Sequence, residues 1–464
     1  MPVSLPVDTS GVGRPTGHLL RILGVSFGIA VGVGATVGGG ILRTPGVVAA
    51  SLGTPQIVVA VWLLGGAYAL MCSSSVAELA TMLPRAGGWY VYSQQAFGKR
   101  VGFVVGCCDW TMQSVVNAFL AVAFGEFMGE LLPGLAHHVT AIAVAGMLIL
   151  TFLNIIGLKS GSRMQTVTSL LKAFALITLI VGCFSVSTSA QPVPAAAHSP
   201  GQHPGLFLGL LIALQAVLST YDGWYVPIYF AEEDEDPEKN LPRSLIGTVV
   251  ACVAIFLLAN AAYLKALGMQ GLQSSRMPAA DASFAVFGGY ARQVILVISV
   301  ITVISAINAT LMTAPRVLYG MARDRLLPHT LTSINRGGTP AWALLLCALV
   351  STALIFSGTL ETLLAIDSVL FVAVYLSGFV ALLVLRRREP HLSRPYRAWG
   401  YPWSTVCVLV ASLAFLVGAV IGDLRHSLFT IVLVVLSYLA SRVIVRTGAD
   451  TPPSISPSVS SGSS

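Results

Sequence analysis

The feature that most constrains this chain is a series of apolar runs, each long enough to cross a hydrocarbon layer about 30 Å thick. Twelve are present, at about 21–52, 55–81, 101–131, 138–157, 164–186, 205–231, 243–267, 291–322, 340–357, 361–386, 402–421 and 427–446. Lipid offers no partner to a backbone N–H or C=O, so each run must satisfy its own backbone as a helix. Strands are excluded, because the runs are too long and do not alternate. Only 10% of the residues are charged, against about 25% in a soluble domain, and the mean hydropathy is +0.82. The expected fold class is an all-α polytopic membrane protein with twelve transmembrane helices.

Charge sets the topology. If the runs alternate direction, twenty of the 26 Lys and Arg residues fall on one side and five on the other, with Lys172 inside the fifth run. The five are Arg43, Lys265, Arg276, Arg292 and Arg425. Basic residues collect on the cytoplasmic side, so both ends are expected inside. The net charge of +7 follows this placement and is no nucleic-acid footprint. Residues 1–20 read as a cytoplasmic tail without a signal peptide, and 447–464, rich in Pro and Ser, as a disordered one. The stretch "STSAQPVPAAAHSPGQHPG" reads as an outer loop. It separates two five-helix groups, 21–186 and 205–386, and 402–446 holds a final pair.

Two runs are interrupted. The first contains "ATVGGGILRTPG", with Gly38, Gly39 and Gly40 consecutive. The sixth contains "LSTYDGWYVPIYF", with Asp222, Gly223 and Pro227. Each interruption falls in the first helix of its group, the placement that marks an inverted-repeat transporter with a midplane site. Freed amides near Gly38–Gly40 form a positive dipole end suited to a carboxylate. Freed carbonyls near Ala35–Val37 suit an ammonium. Gly28, Gly32 and Gly34 stand at helix-packing spacing and divide evenly between packing and breakage. The stretch "GVGATVG" misses GxGxxG and follows no strand. The cysteines form no CxxC pair, no histidine lies mid-run, and no HExxH or nucleophile–base pair appears, so neither an enzyme nor a cofactor is expected.

These residues resemble a known family. "GATVGGGILRTPG", "AELATMLPRAGGWYVYSQQAFGKRVGF", "TYDGWYVPIYFAEEDEDPEKNLPRSL", "APRVLYGMARDRLLP" and "RPYRAWGYP" are similar to segments of the amino acid–polyamine–organocation transporters, in the right order from about 20 to 446. "YDGW" resembles the L-type, neutral amino acid branch. The resemblance implies a five-plus-five inverted-repeat (LeuT-like) fold with broken helices 1 and 6, and alternating access without sodium. It implies that Gly38, Gly39 and Gly40 bind the substrate carboxylate, and that Thr36, Val37, Ser219 and Asp222 face its ammonium. The sequence departs from the family at Ser219, where many relatives carry a gating aromatic. Tyr221, Gly223 and Trp224 then line the side-chain pocket or gate.

Polar residues inside the runs complete the reading. A lysine at a helix centre costs roughly 2.5–3.5 kcal/mol, so Lys172 is read as a coupling residue: a proton carrier or a fixed cation, with snorkelling as the alternative. Asp222 either meets the ammonium or caps a half-helix. Gln113, Ser114 and Asn117 form a strip that faces substrate or bonds a neighbouring helix. Asp109 has no evident partner and reads as structural near the inner end of the third run, Glu78 suits a gate or loop ion pair, and Glu126 and Asp367 read as interfacial. "EEDEDPEK" reads as a solvated exit. The expected activity is transport of an L-α-amino acid, neutral by the resemblance, across the inner membrane by proton symport or exchange. Its partners are the amino acid, the bilayer and, for symport, protons, with no nucleic acid. The competing readings are a carrier of polyamines or cationic amino acids, and a channel or sensor of transporter ancestry.

Overall fold

The computed structural model describes residues 19–185, 205–357, 360–422 and 424–449. Most of the N-terminal tail with Arg14, the outer loop up to residue 204 and the Pro/Ser-rich tail from 450 lie outside the described residues.

Each apolar run contains a helix. The first is two, α1 (Val25–Thr36) and α2 (Gly40–Leu52), bent by 50°. Next come α3 (Pro55–Met82), a short α4 (Trp89–Phe97), α5 (Lys99–Leu131), α6 (Val139–Ile156) and α7 (Leu158–Ser185). The second group opens with α8 (Leu206–Thr220), which runs into a turn and a 3-10 segment at Val226–Phe230. It continues with α9 (Pro237–Ser274), a short α10 (Pro278–Phe287), α11 (Ala291–Arg323), α12 (Ala341–Ser357) and α13 (Leu360–Arg388). Helices α14 (Trp403–Gly422) and α15 (Leu424–Ala449) follow. Among the described residues nine helices are long and apolar enough to cross a membrane, ten with the bent pair, and α8 and α12 are shorter apolar helices. There is no strand among them, only a single parallel bridge between Leu23 and Asp234.

The packing is that of a protein dissolved in lipid. Large apolar side chains such as Phe152, Phe174 and Ile421 lie exposed on the outside. Polar side chains are inside and satisfy one another. Asn154 of α6 donates to Asn308 of α11 at 2.8 Å, and Asn308 donates to Gln165 of α7 at 2.8 Å. A hydrogen bond between helices is useful there because hydrocarbon supplies no alternative partner. Gly28 and Gly32 belong to this packing. A Cβ on Gly28 would lie 2.2 Å from Ser244 Oγ, and one on Gly32 would lie 2.4 Å from Thr248 Oγ1, both on α9.

Glu78 fastens the end of α3. Its fully buried carboxylate accepts from Arg386 Nε at 2.7 Å and Nη2 at 2.5 Å, and from the Ala398 amide at 2.7 Å. Arg394 Nε lies 3.4 Å away. The acid thereby ties α3 to the end of α13 and to the "RPYRAWGYP" connection. Replacing it by alanine leaves two guanidinium groups and an amide without their acceptor. Removing one partner of a buried pair costs about 3–5 kcal/mol, and the partial exposure of Arg386 places this case at the low end. Thermal unfolding in detergent, followed by size exclusion, should show Glu78→Ala melting well below the native protein and Glu78→Gln in between.

Candidate functional site

The two interrupted helices meet. Gly223 sits at φ +103°, and a Cβ there would lie 2.9 Å from Ala35 C and from Thr36 N. Positive φ favours glycine, and the missing side chain lets one backbone rest on the other. On one side of this contact α2 packs along α8: Thr44 Oγ1 and Thr220 Oγ1 are hydrogen-bonded at 2.8 Å, and a Cβ on Gly40 would lie 2.9 Å from Thr220 Cγ2. On the other side, Ile22 and Leu23 donate their amides to Glu233 O, both at 3.1 Å. The Glu235 amide returns to Leu23 O at 2.9 Å. The segments before α1 and after the 3-10 turn are thus stitched together by backbone.

The first interruption leaves its amides free. Gly38, Gly39 and Gly40 donate to no other group among the described residues. A Cβ on Gly39 would meet nothing within 4 Å, and Gly39 is exposed. These amides stand at the start of α2, whose dipole adds positive potential. At the end of α1 the Val37 amide bonds Val33 O at 2.9 Å and Thr36 Oγ1 bonds Gly32 O at 2.9 Å. Ser219 is exposed, and its carbonyl accepts the Asp222 amide at 3.3 Å.

Lys172 reaches α1 from α7. It is 2% exposed, and its Nζ donates to Gly34 O at 2.7 Å. One turn earlier on both helices, Ser169 Oγ donates to Ala30 O at 2.8 Å. Glycine at 34 permits this approach, since a Cβ would lie 2.2 Å from Gln165 Nε2 and 2.5 Å from Ser169 Oγ. The ammonium sits at the negative end of the α1 dipole. Snorkelling is excluded by the burial of the whole side chain.

The other expected site residues are held by neighbouring side chains and backbone. Tyr221 turns toward α3: its hydroxyl donates to Trp62 O at 3.1 Å, and its ring lies 4.9 Å from that of Phe256. Trp224 packs on Tyr225 and Tyr375. The Asp222 carboxylate accepts the Tyr375 hydroxyl of α13, at a small cavity edged by Tyr68 and Ser412, and caps no half-helix. Gln113, Ser114 and Asn117 are buried. Gln113 accepts from Thr313, Asn117 accepts from Thr310 at 2.5 Å, and Ser114 donates to Trp110 O at 2.9 Å. The first two of these contacts join α5 to α11.

Two expectations are corrected. Asp109, read as partnerless, accepts from Tyr229 at 2.7 Å and Gln113 at 2.9 Å. "EEDEDPEK" is not a solvated exit at its start. Glu233 is fully buried and holds Arg316 through both oxygens, at 2.5 and 2.8 Å, while Arg316 stacks over Phe230. Glu232 pairs with Arg323 at 2.6 Å and accepts the Ala86 amide at 2.9 Å. Their partners lie more than eighty residues away in sequence, so charge density alone could not foretell their burial.

Comparison with known proteins identifies a family. The amino acid permease family profile matches residues 19–438. The serine/threonine exchanger SteT of Bacillus subtilis is 26% identical over 413 residues, 87% of this chain and 92% of that protein. The mouse Asc-type amino acid transporter 1 is 28% identical over 391 residues, covering 82% and 73% respectively. The rabbit large neutral amino acids transporter small subunit 2 is 27% identical over 407 residues, covering 84% and 74%. A multi-pass membrane protein that carries amino acids and catalyses no reaction, the chain belongs to the amino acid permease family, within the amino acid–polyamine–organocation superfamily.

Proposed function

We propose that the protein carries neutral L-α-amino acids across the bacterial inner membrane by alternating access, without sodium, with both chain ends in the cytoplasm. The observation that supports this most is the run of free Gly38, Gly39 and Gly40 amides, with open space beside Gly39, where two interrupted helices touch. In this reading the amides bind the substrate carboxylate. The Thr36 and Val37 carbonyls, with Ser219 and Asp222 across the gap, receive the ammonium. The small Ser219 leaves room for the side chain, with Gly223 and Trp224 bounding it and Tyr221 backing α8. Twelve spans form two inverted five-helix repeats, 21–186 and 205–386, and a final pair.

Lys172 acts as a fixed cation. A buried ammonium on the Gly34 carbonyl holds the end of α1 where a metal ion would otherwise be needed. The buried Glu233–Arg316 pair and the Phe27–Phe230 contact at 5.1 Å hold the segment after α8 against α11 and α1. The names of the relatives favour small and large neutral side chains over polyamines.

Uptake of radiolabelled amino acids into proteoliposomes, with a competition panel, tests the function directly. Neutral L-amino acids should compete and polyamines should not; saturable polyamine uptake in their place would overturn the reading. Gly39→Leu has room to fold and should bury its amide neighbours under a side chain, abolishing binding while the melting temperature holds. Full affinity in that variant would remove the carboxylate site. Gly223→Ala meets backbone at 2.9 Å and should lose both binding and several degrees of stability. Lys172→Ala should cut transport steeply and Lys172→Arg partly restore it; native turnover in the alanine variant would dismiss the fixed-cation role.

A further inference from the structure

Three helix ends meet at one corner of the molecule. Arg388, at the end of α13, donates its Nη1 to Ala96 O of α4 at 3.3 Å. Gln95 of α4 donates to both carboxylate oxygens of Glu389, each at 2.9 Å. Helix α4 leads through Gly98 directly into α5, which begins with Lys99 and Arg100. Helix α15 arrives from the opposite direction. Cys107 of α5 faces Ser437 of α15, and Arg100 faces Tyr438. The Arg442 guanidinium lies over that same tyrosine ring, 5.3 Å from its centroid. At about 3.6 residues per turn, Arg100 precedes Cys107 by about two turns and Arg442 follows Ser437 by about one and a half. Both guanidinium groups therefore come to a similar depth.

The cations of this corner have no acid to themselves. Lys99, Arg100, Arg387 and Arg442 are exposed, and none forms an ion pair among the described residues. Glu389, beside them in sequence, is engaged by Gln95. The depth is that of a headgroup. Trp399 and Trp403, in the connection after α13 and at the start of α14, are 54% and 79% exposed, and such aromatics anchor at the membrane–water interface. Toward the membrane interior α15 leaves Val432, Val435, Leu436 and Leu439 exposed. Cations at the interface beside a bare apolar helix face match a molecule with an anionic head and hydrocarbon chains. Residues 450–464 of the chain itself carry one acidic side chain, Asp450, and match it poorly.

We propose that Lys99, Arg100, Arg387 and Arg442 form a binding site for the phosphate headgroup of an anionic phospholipid, whose chains lie along α15. In the orientation proposed above the lipid belongs to the cytoplasmic leaflet. Arginine suits the task, because its planar fork meets two phosphate oxygens at once. A phosphate shared by α5, α13 and α15 relieves the mutual repulsion of their cations and ties α15 to the other two helices.

The test uses the full chain, purified in detergent and stripped of lipid. The probes are dioleoylphosphatidylglycerol, dioleoylphosphatidylcholine and inorganic phosphate. Bound lipid is read by native mass spectrometry and stability by thermal unfolding. Phosphatidylglycerol should bind saturably and raise the melting temperature, while phosphatidylcholine and inorganic phosphate do neither. A basic residue near an anionic surface contributes roughly fivefold in affinity. Arg100→Gln combined with Arg442→Gln should therefore weaken phosphatidylglycerol binding about thirtyfold, and Lys99→Gln alone about fivefold. Arg100→Lys combined with Arg442→Lys should keep most of it. Lys159→Gln combined with Arg163→Gln removes the same charge from the start of α7 and should change nothing. Equal loss in that control pair, equal stabilisation by phosphatidylcholine, or displacement of lipid by inorganic phosphate would overturn the site. Should the double glutamine variant not fold, Lys99→Gln against the control pair decides the matter. Each readout is free of transported substrate, so failure here leaves the transport reading standing.

Discussion

The backbone hydrogen bond governs this structure. In lipid a helix has no other way to satisfy its polar groups, so any gap must be answered by something nearby. Two helices are interrupted here, and the compensation is visible for much of what they free. Lys172 takes the Gly34 carbonyl, and the segments flanking α1 and the 3-10 turn satisfy each other through Glu233 and Leu23. The amides of Gly38, Gly39 and Gly40 stand apart from this bookkeeping.

How much of this could be read beforehand depends on whether a residue's meaning is local. The interruptions were legible because glycine triplets and proline inside an apolar run conflict with helix in every context. The hydrophobic runs and Lys172 were legible for the same reason, one being long and the other costly. Asp109 was not, since its partner Tyr229 lies 120 residues further on. Asn154, Gln165 and Asn308 were equally silent. A single amide in an apolar helix says nothing until three helices bring three of them together. Tyr221 was expected at a gate but bonds Trp62 of α3, because Gly65 and Gly66 leave a recess for its ring.

The membrane interior also sorts the acids. Where a guanidinium is within reach the charge is permanent and the acid is structural, as with Glu78 binding Arg386 and the connection to α14. Where only hydroxyls and amides are offered, hydrogen bonds alone hold the carboxylate. Helices α5 and α13, both packed near the interrupted sixth span, carry the second kind. The arginine-held acids lie at helix ends, where the chain turns and a fixed tie is useful.

The missing Cβ of Gly223 has a mechanical meaning. With its backbone laid on Ala35 and Thr36, the two interrupted helices share a bearing surface one atom thick. A side chain there would hold them apart. Close packing of backbone on backbone is stiff, so a displacement of either helix at this point presses directly on the other.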